Sequence, residues 1–296
     1  MIDKVKMPRK PKIAFIALLL ITGWIVSQIT FNLVHQLIDV PNTSDFRHLW
    51  LAIIRDLTTN HFFTEQMING FIVYALATTV SYLSIQTIKQ IRLKKLILDR
   101  REDDLTKEWN QRYSPTKKNI VIIQEPVFIA LSYGICKPKI LISTYALSKF
   151  SEDEIEAILY HEQYHCLAYH PLQINMLKLL SKVLFFIPVI KELSHFYYIW
   201  MEIMADRYAI YRMKNTAPIG RVLLGLVEDV RTTHKRFPIS SHFANEAINY
   251  RMQQIIDPSN ELNIPFLKRR SIIISISILI TLTLFGFVCN QFGGLV

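Results

Sequence analysis

Three stretches of this sequence carry no charged side chain over a length that crosses a bilayer as a helix: Ile13 to about Val34, Gly70–Ile88 and Ser271–Cys289. A hydrocarbon core about 30 Å thick needs roughly 20 helical residues, and a charge left at its centre costs about 3 kcal/mol or more. Whatever lies between such runs is expected to be tethered to a membrane. The first run competes with a secretory signal, whose apolar core is shorter and ends in small residues; His35, Gln36 and Leu37 follow here, so a retained span is expected. Basic side chains gather at the ends of the runs: Lys10 and Lys12 before the first, Lys89, Arg92, Lys94, Lys95, Arg100 and Arg101 after the second, Lys268–Arg270 before the third. The positive-inside rule puts all of them on the cytoplasmic face.

The expected order is a basic cytoplasmic N-terminus (1–12), a span (13–34), an extracellular loop (35–69), a span (70–88), a basic juxtamembrane stalk (89–118), a domain over 119–263 and a span (271–289). In this chain of net charge +10, the basic stalk is then expected to touch anionic lipid heads. Direct nucleic-acid binding is not expected, because no aromatic or helix-turn-helix pattern accompanies the basic residues. Cys136, Cys166 and Cys289 form no CxxC pair, which excludes a disulfide framework and a thiolate metal site and fits a reducing compartment.

The domain is organised around SEDEIEAILYHEQYHCLAYHP, Ser151 to Pro171. It reads as one helix, opened by a Ser151/Glu154 capping box and stopped by Pro171. Inside it, His161 and His165 are four residues apart, so both imidazoles leave one face and can grip one ion. Glu162 lies beside them, placed to work on water as a base rather than to bind the metal. A hydrolytic zinc site takes three protein ligands. The third is expected from a second helix, Phe196–Met213, where Glu202 and Asp206 share a face. Glu202 would bind the ion, and Asp206 would accept the second ring N–H of a ligating histidine. The bland alternative is a solvated pair of histidines and an exposed pair of acids. The apolar run Ala157–Leu159 and the aromatic and methionine residues around Glu202 count against it.

HExxH followed by ExxAD on a later helix resembles the gluzincin arrangement of membrane-bound zinc metallopeptidases. The wider stretch is similar to the peptidase region of BlaR/MecR-type antibiotic-sensor proteins: GICKPKILIS (Gly134–Ser143), SEDEIEAILYHEQYH, His170-Pro171-Leu172, then LFFIP (Leu184–Pro188) before the glutamate helix. The likeness covers about 120–256. One departure is His170, where that family usually carries aspartate. Sensor relatives continue into an extracellular penicillin-binding domain; with the sequence ending at Val296, none is expected here.

The fold class expected is α+β: a multi-span helical membrane protein of the bacterial cell membrane, with a mainly helical cytoplasmic zinc metallopeptidase domain holding a small sheet. NIVIIQ, VFIALSYG and KILIS read as its strands. By resemblance, Val127, Phe128, Ile129 and Ala130 belong to a strand that pairs with extended substrate, although a plain core strand fits equally. Ile174–Ile190, interrupted by Lys178, Lys182 and Pro188, suits a helix packed on the domain or lying in the interface. In SHFANEAINYRMQQI (Ser241–Ile255) the resemblance implies that a histidine and an arginine approach the site, making His242 a candidate for stabilising the oxyanion. The resemblance also implies Zn²⁺ as cofactor and a protein or peptide substrate, such as a cytoplasmic transcriptional repressor. The alternatives are a quality-control peptidase of the heat-shock-induced membrane type and a non-catalytic sensor that keeps the fold. The short stretch between the ligand helices favours the regulatory peptidase over the first. The intact His161, Glu162, His165 and Glu202 argue against the second.

Overall fold

The computed structural model describes residues 7–38, 61–113, 119–232, 242–257 and 262–292, mainly helical with one small sheet. It divides into two compact units: Met1–Lys12, Gln86–Lys178 and Ser194–Pro265 in one, Ile13–Ile85, Leu179–Leu193 and Phe266–Val296 in the other.

The first unit is built on three strands, β1 (Ile120–Ile123), β2 (Ala130–Tyr133) and β3 (Lys139–Ser143), in the order β1-β3-β2. β1 runs parallel to β3 with Ile120 opposite Ile140, and β2 runs antiparallel to it with Ala130 opposite Ile142. β1 (IVII) and the core of β3 (ILI) are continuous Val/Ile/Leu runs because both their faces are covered, whereas β2 (ALSY) is half-buried along its length. Ile120, Ile122, Ile140 and Ile142 share a core with Ile155, Ile158 and Leu159. Val121, Ile123 and Leu141 pack with Ile97 and Leu93 on the other face. The last two come from α2 (His61–Arg100), which follows α1 (Arg9–Ile38).

The expected stalk, 89–118, is not a free charged helix. Its first part continues α2 to Arg100, and its second is a separate helix, α3 (Asp103–Tyr113), which seals the outer edge of β1. Thr106 Oγ1 accepts the Ile122 amide at 3.0 Å. Asn110 takes the Ile120 amide on its Oδ1 at 3.0 Å and gives its Nδ2 to the Ile120 carbonyl at 2.7 Å, as a neighbouring strand would. Asn110→Leu removes both partners from buried backbone and is expected to cost about 3 kcal/mol. Thermal unfolding of the detergent-solubilised protein measures it; an unchanged midpoint would mean that the edge finds other partners.

After α4 (Thr144–Lys149) comes the histidine helix, α5 (Glu152–Leu167). Its start is as expected: the Glu154 carboxylate accepts the Ser151 amide at 2.9 Å, closing the capping box. Arg221, on α8 (Ala217–Thr232), ties Glu154 at 2.6 Å and holds its carboxyl below the usual range although burial works the other way. The end differs from the expectation. The helix stops at Ala168, Tyr169 adopts φ 55°, and Pro171 lies in the first turn of a new helix, α6 (His170–Val183). Proline fits there because the first-turn N–H groups have no helical partner to lose. α7 (Pro188–Met213) starts earlier than expected, and α9 (His242–Ile256) completes this unit.

The second unit contains α1, the N-terminal half of α2, the turn between α6 and α7, and α10 (Arg269–Phe292). The turn is held by side chains: Tyr74 donates to the Lys182 carbonyl at 3.0 Å, Phe71 meets Phe186 edge-on at 5.4 Å, and the Val189 amide donates to Ser275 at 3.1 Å. Glu192 accepts from the Lys268 amide and the Ser271 hydroxyl at the start of α10. Among the described residues, two helices are long and apolar enough to cross a membrane, Arg9–Gln28 and Asn69–Arg100. The stretch expected as a third span is helical in α10, with the side chains from 285 onward outside the described residues. Most of the expected extracellular loop, 39–60, also lies outside them.

Candidate metal centre

Two helices deliver the centre. α5 is buried along Ile155, Ala157, Ile158 and Leu159, and that burial turns His161 and His165 inward rather than to solvent. α7 presents Glu202 and Asp206 from a run in which Met201, Ile203, Met204 and Ala205 are all buried. One donor atom each from His161, His165 and Glu202 falls within 4.8 Å of the others, so this trio could hold a metal ion.

The separations test the fit. The two Nε2 atoms are 3.1 Å apart, and the Glu202 oxygens lie 3.4 Å from His161 Nε2 and 3.7 Å from His165 Nε2. Tetrahedral donors about 2.0–2.1 Å from one ion stand roughly 3.3 Å from each other, so the trio fits.

The second ring nitrogen of each histidine is engaged. His161 Nδ1 meets Asp206 Oδ1 at 2.7 Å, and His165 Nδ1 meets His170 Nδ1 at 2.7 Å. Asp206 is 1% exposed and would be costly there alone, but Arg251 on α9 donates to it through Nε at 2.6 Å and Nη2 at 2.8 Å. A third donor, Arg251 Nη1, reaches Glu202 Oε2 at 3.2 Å.

These contacts set the charges. Burial opposes ionising Asp206 and Glu202, yet Arg251 and the two imidazoles outweigh it and hold both carboxyls below their ordinary values. Burial and Arg251 oppose a charge on His161, but its hydrogen bonds to Asp206 and Glu202 push it up to about 9. Burial pulls His165 well below the usual value and His170 down to about 4. Tyr198, one turn before Glu202, is raised by that carboxylate and by burial.

Glu162 stands apart from the trio. Burial pushes its carboxyl up to about 7, against the pull of His161, and the Ser132 amide of β2 hydrogen-bonds it. The pairing with β3 sets which way the backbone of this strand faces. Ile129 and Leu131 turn to β3, the Ile129 carbonyl accepting the Ser143 amide at 2.9 Å, so Ala130 and Ser132 direct their backbone groups to the outer edge.

The four residues expected on the substrate strand, Val127, Phe128, Ile129 and Ala130, fall at and just before the start of β2. Only Ala130 of the four residues lies in β2. Val127 is exposed, Phe128 packs edge-on against Phe150 at 5.6 Å, and Ile129 is committed to Ser143 by its amide as well as its carbonyl. His242 opens α9, with its side chain outside the described residues. The arginine expected from that stretch is Arg251. Ala247 and Gln254, four residues before and three after it on α9, are buried, which puts Arg251 on the buried face of that helix.

The family model described as BlaR1 peptidase M56 matches residues 52–255, well over half of the chain. The chain belongs to that family. The match takes in α5, α7 and Arg251, and membership supports a metallopeptidase function with a protein or peptide as substrate. Together with the two membrane-length helices it points to membrane association. A comparison with curated proteins finds no match.

Proposed function

We propose that this protein is a membrane-tethered zinc metalloendopeptidase whose domain faces the cytoplasm and cuts a regulatory protein there, such as a transcriptional repressor, or its own chain. The observation that carries this reading is the convergence of His161, His165 and Glu202 beside a separate buried carboxylate, Glu162. Two imidazoles and one carboxylate are the donor set of hydrolytic zinc centres, and His161, His165 and Glu202 would hold the ion. A bound zinc ion would supply Lewis-acid polarisation of the scissile carbonyl and a lowered pKa for water.

The chain's residues do the rest. Glu162 takes the proton of the attacking water and passes it to the departing amine, two tasks for which a carboxyl pushed up to about 7 is well matched. Asp206 holds His161 with Nε2 free for the ion. Arg251 keeps Glu202 and Asp206 ionised and in place. The outward groups of Ala130 on β2 can pair with an extended peptide, leaving its scissile bond beside Glu162.

The cytoplasmic location rests on the basic clusters Lys89–Arg101 and Lys268–Arg270. A reporter fused after Arg101 is expected to read cytoplasmic, and one fused after Asp45 external. The opposite pattern would remove every cytoplasmic substrate from consideration.

A further inference from the structure

His165 and His170 meet nitrogen to nitrogen, Nδ1 to Nδ1, at 2.7 Å, with ring centroids 4.8 Å apart. Two bare lone pairs at that distance repel and two N–H groups collide, so a single hydrogen lies between the rings. The far side of His165 decides which ring supplies it. Its Nε2 lies 3.1 Å from His161 Nε2 and 3.7 Å from Glu202 Oε1, among the atoms that would surround an ion. A ligating Nε2 needs its lone pair, so the hydrogen of His165 belongs on Nδ1 and is donated. His170 must then accept on Nδ1 and carry its own hydrogen on Nε2.

We propose that His170 is a positioning residue of the metal centre, its Nδ1 lone pair holding His165 in the tautomer and orientation that present Nε2 to the ion. The inference rests on reading His161, His165 and Glu202 as the ligands. The backbone is arranged for it. Beyond the end of α5 at Ala168, Tyr169 adopts φ 55°, and the reversal brings the next residue back onto the helix just left. His170 is 1% exposed and is braced edge-on by Tyr164 at 5.4 Å. The two ligating imidazoles are thus supported unequally, His161 by a carboxylate and His165 by a neutral ring. A carboxylate partner raises the basicity of its imidazole more than a neutral acceptor does, which makes His165 the weaker donor of the pair.

The test is zinc affinity, by competition with a chelator, for the full-length wild type and for His170→Leu, His170→Asn and His170→Gln, each with its zinc-free unfolding midpoint. Asparagine carries an acceptor oxygen where Nδ1 sits; glutamine carries its amide one bond further out, near Nε2. Leucine is expected to weaken zinc binding about 10–100-fold, the usual effect of removing such a support. Asparagine should restore most of the affinity and glutamine little of it. A residue that merely fills space would give a different order, with leucine best. Wild-type affinity in His170→Leu, or equal affinities for asparagine and glutamine, would overturn the inference. Should the leucine variant fail to fold, the asparagine–glutamine comparison still decides. Wild-type protein that held no zinc would overturn the ligand reading itself, a result distinct from zinc binding that ignores residue 170.

Discussion

Glu162→Gln is expected to keep its full zinc content and to lose proteolysis by roughly 10²–10⁴-fold, the range that general-base catalysis supplies. Glutamine keeps the size of the side chain and can still accept the Ser132 amide, so β2 stays in place. It cannot take up the proton of water. Zinc should be unaffected, because the ligand trio does not include Glu162. The variant should still hold a peptide across the site, and its use in membranes would identify what is cut. Zinc content and cleavage must be read in one preparation. Undiminished cleavage would end the mechanism; lost zinc would make Glu162 part of the metal centre.

The second large effect is expected at Glu202. Zinc bound by four protein ligands is worth about 10–16 kcal/mol, so one ligand carries on the order of 3 kcal/mol, and Glu202→Ala should lower affinity by roughly a hundredfold or more. The fold should survive, since Arg251 keeps two hydrogen bonds to Asp206 after its contact with Glu202 is gone. Metal analysis after dialysis reads the result. Wild-type zinc in this variant would remove Glu202 from the centre and leave two histidines without a third protein ligand.

The parts of the centre that were legible are those set by helical period within one segment. His161 and His165 share a face because they are four residues apart, as Glu202 and Asp206 do, and apolar neighbours on both segments signalled burial. The capping box at Ser151 is equally local. What escaped is set by chain reversals and by partners far along the chain. Tyr169 takes a left-handed conformation that ordinarily signals glycine, so the break before His170 left no mark and Pro171 looked like a stop. Arg251 reaches the site from α9, 45 residues beyond Asp206, and spacing cannot fix such a pairing. α3 read as part of a charged stalk over 89–118; the polarity of Thr106 and Asn110 serves the backbone of β1, a role no periodicity reveals.

The sheet has one edge closed by α3 and the other, β2, turned toward Glu162. A guest joining that edge must offer its own backbone as a bare strand. Natively folded chains keep such groups paired, so on the proposed reading a substrate protein would be cut at the rate its segment frays, discounted by the free energy of local opening. An opening cost of about 4 kcal/mol would slow cleavage roughly a thousandfold. Selectivity would then lie in the conformational freedom of the target as much as in its residues. A partner could be switched from spared to consumed by whatever loosens one of its linkers, with no change in the enzyme at all.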